Sequence, residues 1–324
     1  MPQPTNTFDS YDAVGNREDL QDKIYMVSPE KTPILSAIRR FTATQRLHEW
    51  QRDALATPNK DNAQIEGDDR TGTALTATSR VANTVQLFDA VAVVSSTQRK
   101  TKSAGRSSEM KYQISKKMVE LKRDVEAMIL SDNVAVQGNS TTARKSSGLG
   151  AMIYTNTSHG GAGATPAHTS GLASVAQTAG TNRTFTEAML KTVLQSIFTN
   201  SGEMPPMISL TASHKSTFSA FTGIAATRVN VGKKSQGAVI GGADVYVSDF
   251  GELTVVPNYI QATANANTAF ILNPEYMGVA YLGGGFQSEP LAKTGHTDKE
   301  LVSAEACLVV TSETAHGAVK NLSA

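Results

Sequence analysis

Residues 44–53 read Thr-Gln-Arg-Leu-His-Glu-Trp-Gln-Arg-Asp, and the alternation within them decides the architecture. Successive strand side chains point to opposite faces. Arg46, His48, Trp50 and Arg52 therefore share one side, and Leu47, Glu49 and Gln51 the other. Neither side is apolar, so this strand is not expected inside a core. Residues 56–73 follow with Pro58, Asn59, Asp61, Asn62, Gly67, Asp68, Asp69 and Gly72, which is turn and loop chemistry. Residues 76–94 return as strand and turn apolar only at Val91-Ala92-Val93-Val94. Residues 43–95 thus read as a two-stranded ribbon that projects from a body, with Lys60 at its tip.

Before the ribbon, residues 1–35 form an extended arm in which Asp9, Asp12, Glu18, Asp19, Asp22 and Glu30 outnumber Arg17, Lys23 and Lys31. Its prolines break any long helix. Thr32-Pro33 then reads as an N-cap and first helical residue, opening a short helix over 33–40. After the ribbon, Met110, Ile114, Met118, Leu121, Val125 and Met128 recur at helical spacing and predict a long helix over 107–131. Residues 99–123 carry nine bases against Glu109 and Glu120.

Residues 133–183 contain no acid, and their glycine-rich part, 156–183, reads as loop, with a short strand over 149–154. From 184 to 285 the pattern is α/β. Thr184-Phe185-Thr186-Glu187 is a capping box, 207–210 is a buried strand, and a helix starts at Thr211 or Ser213. Strands follow over 245–248, 253–256 and 270–272, the first two joined by a turn at Asp249-Phe250-Gly251. Over 301–312, Val302, Ala304, Ala306, Leu308 and Val310 alternate with polar residues, the cleanest strand pattern in the chain.

With 324 residues, 40% hydrophobic and 18% charged, the chain has apolar mass for a core, and its net charge of +1 argues against strong steering toward polyanions. Cys307 is the single cysteine, which excludes an intrachain disulfide and favours an inert thiol. No apolar run reaches the ~18 residues a membrane span requires, and no secretory signal is visible. His48-Glu49 lacks the second histidine of a helical zinc pair, and the six histidines show no ligand spacing. Gly232-Lys233-Lys234-Ser235 lacks the earlier glycine of a phosphate loop, Asp249-Phe250-Gly251 stands without the other kinase motifs, and no nucleophile elbow occurs. No catalytic residue, cofactor or metal is therefore expected. The basic stretch is open to two readings: pairing of Lys116, Lys117, Lys122 and Arg123 with Asp19 and Asp22 of the arm, or contact with nucleic-acid phosphates.

The order of acidic arm, polar ribbon, long helix, α/β region and terminal strand resembles the major capsid proteins of tailed bacteriophages, with the Hong Kong 97 fold. Asn16-Arg17-Glu18-Asp19-Leu20, Ser28-Pro29-Glu30-Lys31-Thr32-Pro33, His48-Glu49-Trp50-Gln51, the stretch 245–251 and Leu291-Ala292-Lys293-Thr294-Gly295 carry the resemblance, as does 305–316. It implies an α+β chain: arm and short helix over 1–42, E-loop ribbon over 43–95, P-domain with spine helix over 96–149, A-domain over 150–260, and return to the P-domain sheet over 261–324.

The function so implied is not enzymatic. It is self-assembly, as hexamers and pentamers, into an icosahedral shell around double-stranded DNA, in a virion assembled in the host bacterial cytoplasm. The alternative is a non-specific DNA-binding protein or another virion component, for decoration or packaging. Expected partners are further copies of the chain, a separate scaffolding protein (because the arm begins at Met1), a portal at one vertex, a decoration protein and packaged DNA bound non-specifically, with no membrane. Arg46, His48, Trp50, Arg52 and Lys60 are the candidate contacts between subunits. Trp50 is expected to anchor the ribbon on a neighbour rather than cover Val81 or Val85, because the ribbon offers no core to an indole. Some relatives crosslink a ribbon lysine to an asparagine, for which Lys60 and either Asn258 or Asn273 are the candidates.

Overall fold

The computed structural model describes residues 24, 26–69, 72, 74–221 and 244–323. Asp19, Asp22 and the Gly232-Lys233-Lys234-Ser235 turn lie outside these residues. The long helix runs Glu109–Leu130. Its apolar stripe sinks into the body along its length: Met110, Ile114 and Met118 are half-buried, and Leu121, Val125, Met128 and Ile129 are fully buried. Each such burial contributes about 1.5–3 kcal/mol, far more than helix propensity does, so packing of the C-terminal half holds this helix.

That helix packs on a four-stranded sheet, ordered Arg39–Ala43, Met277–Pro290, Thr297–Val310, Gln86–Ser95. The last strand alternates as a half-covered strand must. Phe88, Ala92 and Val94 are buried, while Leu87, Val91 and Val93 are exposed. The partners Met277–Pro290 and Thr297–Val310 run antiparallel and slip register between Leu282 and Gln287, where five residues on one strand advance against two on the other. Gly283, Gly284 and Gly285 take φ of 75°, 96° and 110° there, a run of left-handed backbone that side chains would strain.

A six-stranded sheet is ordered Thr157–Ser158, Gly317–Val319, Ala269–Leu272, Met207–Leu210, Gly251–Pro257, Val245–Ser248. Met207–Leu210 and Ala269–Leu272 are buried on both faces. Helix Glu187–Ser201 covers one side with Leu190, Val193, Leu194 and Ile197. The sheet reaches past the boundary expected at 260 and recovers residues 317–319 at the C-terminus.

Several local expectations change. The helix after Thr32 is Pro33–Ala37, because Arg39–Ala43 pairs in parallel with Gly278–Leu282 and leaves the helix early. Residues 149–152 are helical rather than extended. The capping box does not form: Thr186 is the N-cap and makes no side-chain bond, and Glu187 instead accepts from the Tyr246 hydroxyl. The glycine-rich segment contributes Ala167–Thr169 and Leu172–Val175, which join Ser79–Thr84 and Leu47–Arg52 in a third sheet.

Candidate assembly surfaces

The ribbon has two regimes. At its base, Leu47–Arg52 pairs antiparallel with Ser79–Thr84, setting Trp50 opposite Val81. Asn83 clamps this base to the body: its Nδ2 donates to the Leu308 carbonyl at 2.7 Å and its Oδ1 accepts from the Ser147 N–H at 2.9 Å. The face holding His48, Trp50 and Arg52 turns inward and is half-buried, while Glu49 and Gln51 are exposed. Trp50 packs against two parts of the core, and its indole N–H donates to the Val310 carbonyl at 3.1 Å. The premise that the ribbon has no core for an indole is therefore corrected. The polar strand sits on the body through the indole bond and the Asn83 clamp of its partner strand, and Trp50 is held by its own chain.

His48 lies 5.9 Å from the Trp50 ring, and burial lowers its pKa. Arg52 borders an open cleft with Tyr276, Thr311 and Glu313. Arg46 is exposed.

Beyond the base the character changes. Every described residue from 53 to 80 is exposed, Lys60 included. Leu55 is 99% exposed, Ile65 80% and Leu75 98%. The asparagines paired with Lys60 by resemblance are otherwise engaged. Asn258 is buried with its Nδ2 on Glu126, and Asn273 is buried with its Oδ1 on the Glu275 N–H. Neither presents a free amide to a neighbour's lysine.

The basic stretch divides likewise. Lys111, Lys116 and Lys122 are exposed along the long helix. Lys117 pairs with Glu120 at 2.7 Å, and Arg123 sits 5.5 Å over the Tyr259 ring. The Tyr259 hydroxyl donates to the Pro29 carbonyl, so the end of the arm passes beside Arg123.

A buried lysine and a half-buried aspartate beside it have no sequence signal. Lys320 is 1% exposed and donates to the Gly150 carbonyl at 2.7 Å. Asp132 approaches the same turn so closely that a Cβ on Gly150 would fall 1.6 Å from its Oδ1, so a side chain there would have to displace this carboxylate. Burial raises the Asp132 pKa and brings Lys320 down to about 8. Unfolded, Lys320 titrates near 10.4, so between about pH 8 and 10.4 the unfolded chain holds a proton that the folded chain has released. Stability therefore rises with pH in that window, by up to roughly 3 kcal/mol from this group. The expected result is that urea unfolding of wild type gains stability relative to Lys320→Met from pH 8 to pH 10; parallel curves would remove Lys320 as the source.

Among the described residues no cluster of three or more His, Cys, Asp or Glu side chains could hold a metal, and no helix is long and apolar enough to cross a membrane. Cys307 is fully buried with its thiol pushed up to about 12, and burial holds the His316 ring down to about 4. Both are packing residues at neutral pH. The Asp249-Phe250-Gly251 turn closes a hairpin, and Phe250 stacks on Phe198 at 5.1 Å on the surface.

A family model for the SU10 major capsid protein matches residues 3–323. The major capsid protein of Escherichia phage Phieco32 is 36% identical over 131 residues, spanning 40% of this chain and 37% of that protein. The match thus covers little more than a third of that relative. The capsid of a native GTA particle superposes with a TM-score of 0.63 at 9% identity, over 97% of this chain and 98% of the other. The capsid subunit of cyanophage A-1(L) gives a TM-score of 0.58 at 12% identity, over 97% and 98%. At such identities these two likenesses are of fold.

Proposed function

The chain belongs to the SU10 major capsid protein family, and on that premise we propose that its copies build the closed icosahedral shell of a tailed bacteriophage. Its fold is the Hong Kong 97 capsid fold. The observation that carries the reading is the ribbon from residue 53 to 80, exposed at every described residue, with Leu55, Ile65 and Leu75 in water along it. Such a segment costs free energy in a lone subunit and is offset only when another surface covers it. A neighbouring copy supplies that surface in a shell.

A second exposed apolar region supports axial contacts in hexamers and pentamers. Val245 and Val247 of an edge strand are 51% and 68% exposed, beside the Phe198–Phe250 stack. The exposed lysines of the long helix favour an inward face toward packaged double-stranded DNA, bound through phosphates without sequence preference. A separate scaffolding protein, a portal and a decoration protein complete the proposed partners, and the subunit acts structurally, without turnover.

Co-expression with the neighbouring assembly gene products, followed by sedimentation and electron microscopy, tests this. Closed shells are expected. A persistent small species under all conditions would end the capsid reading.

A further inference from the structure

We propose that the cleft between the ribbon base and the C-terminal loop of the same chain is a binding site for one phosphate group, held by the Arg52 guanidinium. The cleft measures about 660 Å³ and is lined by Gln51, Arg52 and Ser79 on the ribbon side and by Thr311, Ser312 and Thr314 on the body side. That volume lies within the range of small-ligand sites. Such a site exists in the lone subunit, whatever that subunit assembles into.

Arg52 is half-buried at the end of the strand Leu47–Arg52, where the ribbon leaves the body. Its Nε–H is buried with no hydrogen-bond partner. No described residue forms an ion pair with it, and Glu49 of the same strand pairs with Arg80 instead, at 3.6 Å. The two acids that line the cleft do not neutralise it either. Glu313 turns its carboxylate to the Tyr154 N–H, the Thr155 N–H and the Thr155 hydroxyl, at 2.8, 2.6 and 2.9 Å. Asp53 is exposed and accepts from the Ala54 N–H. Burial first, and the Arg52 charge after it, lower the pKa of both His168 and His316, so this charge is felt inside the body. A guanidinium drawn out of water without a partner calls for an anion.

The donors in the cleft suit a tetrahedral oxyanion better than a carboxylate. The guanidinium presents a planar fork for two oxygens. The Ser312 and Thr314 hydroxyls share one hydrogen bond at 3.3 Å, which leaves one O–H of the pair without a described acceptor. Gln51 accepts from the Thr78 hydroxyl through Oε1 and keeps its amide N–H groups. Thr311 adds no donor, because its hydroxyl donates to the Tyr276 carbonyl at 2.9 Å. Together these donors exceed what two carboxylate oxygens can use. A bound phosphate joins the ribbon strand to the loop at 311–314 and fastens the point at which the ribbon departs.

Fluorescence titration of the purified full-length chain tests the site, because Trp50, the single tryptophan, lies two residues before Arg52 on the same inward face. Inorganic phosphate at constant ionic strength is expected to change its emission saturably, with half-saturation at or below about 1 mM. Acetate and a short DNA duplex are expected to leave it unchanged. Equilibrium dialysis should count one phosphate per chain. Arg52→Gln is expected to weaken binding about tenfold or more, while Arg80→Gln on the exposed partner strand leaves it as it is. Circular dichroism checks the fold of Arg52→Gln, and Ser312→Ala/Thr314→Val, which keeps the guanidinium, is expected to weaken binding about threefold. Absence of a saturable response, or one that neither variant changes, overturns the site. Acetate bound as tightly as phosphate overturns the phosphate assignment and gives the cleft to a carboxylate. A response to the duplex with none to free phosphate overturns it as well and gives Arg52 to nucleic acid.

Discussion

Replacing Trp50 by alanine is expected to destabilise the unassembled subunit by about 3 kcal/mol, at the lower end of the cost of removing a core tryptophan. The indole packs against the strand partner Val81 and against the separate cluster around Val85, Ala280 and Val309, so its removal opens a void at a junction. The lost N–H bond leaves the Val310 carbonyl short of a donor. The half-buried position keeps the expected value from reaching the top of that range. Urea unfolding measures it, and tryptophan emission gives an independent reading because Trp50 is the single tryptophan. Emission should already be blue-shifted in the unassembled subunit and move little on assembly. A wild-type emission that shifts strongly only in shells, with an alanine variant of unchanged stability, would return the indole to a neighbouring subunit.

Trp50 also shows what the sequence could and could not convey. Of the face Arg46, His48, Trp50 and Arg52, the last three turn inward together, because strand alternation is local, whereas Arg46 precedes the strand and is exposed. The same residues misled about location. A polar strand in solvent and a polar strand satisfied by carbonyls and a clamp such as Asn83 look alike until the partners 225 residues away are known. The long helix was legible because it buries one continuous stripe, and the strand through Val302–Val310 because it alternates up to Ala306, although residues 306–310 are buried on both faces.

Residues 149–152 were not legible, since four apolar residues are too few to separate a helical from an extended period. Nor was Arg39–Ala43, whose strand character comes from pairing with Gly278–Leu282. The glycine-rich segment hid three strands for the same reason. The exposed lysines of the long helix were visible as a basic run, but only the fold separates Lys116 and Lys122 from Lys117 and Arg123, which have partners inside the chain.

Glu126→Ala is expected to cost the subunit about 4 kcal/mol, through donors left without an acceptor in the interior. Thr32-Pro33 suggested a helix capped locally by the Thr32 hydroxyl, yet Thr32 makes no side-chain cap. The open N–H groups of Ile34 and Leu35 donate instead to the two carboxylate oxygens of Glu126, at 3.0 and 2.7 Å, from 92 and 91 residues away. The Asn258 amide donates to the same carboxylate at 2.7 Å. One fully buried side chain thus fastens the end of the arm and the strand Gly251–Pro257 to the long helix.

Burial raises the Glu126 pKa, and these three donors pull it back. A carboxyl raised in the folded state adds stability at acid pH that is lost as pH rises through its folded pKa. Glu126→Gln, which keeps one acceptor oxygen and cannot titrate, should therefore lose about 1–2 kcal/mol near neutrality and show a steeper acid limb than wild type, because it lacks the gain that protonating Glu126 brings as pH falls. Limited proteolysis adds a local readout: cleavage ahead of Pro33 should accelerate in Glu126→Ala before global unfolding begins. An alanine variant within about 1 kcal/mol of wild type, with an unchanged cleavage rate, would mean that water replaces the carboxylate at no cost and that the arm is held elsewhere.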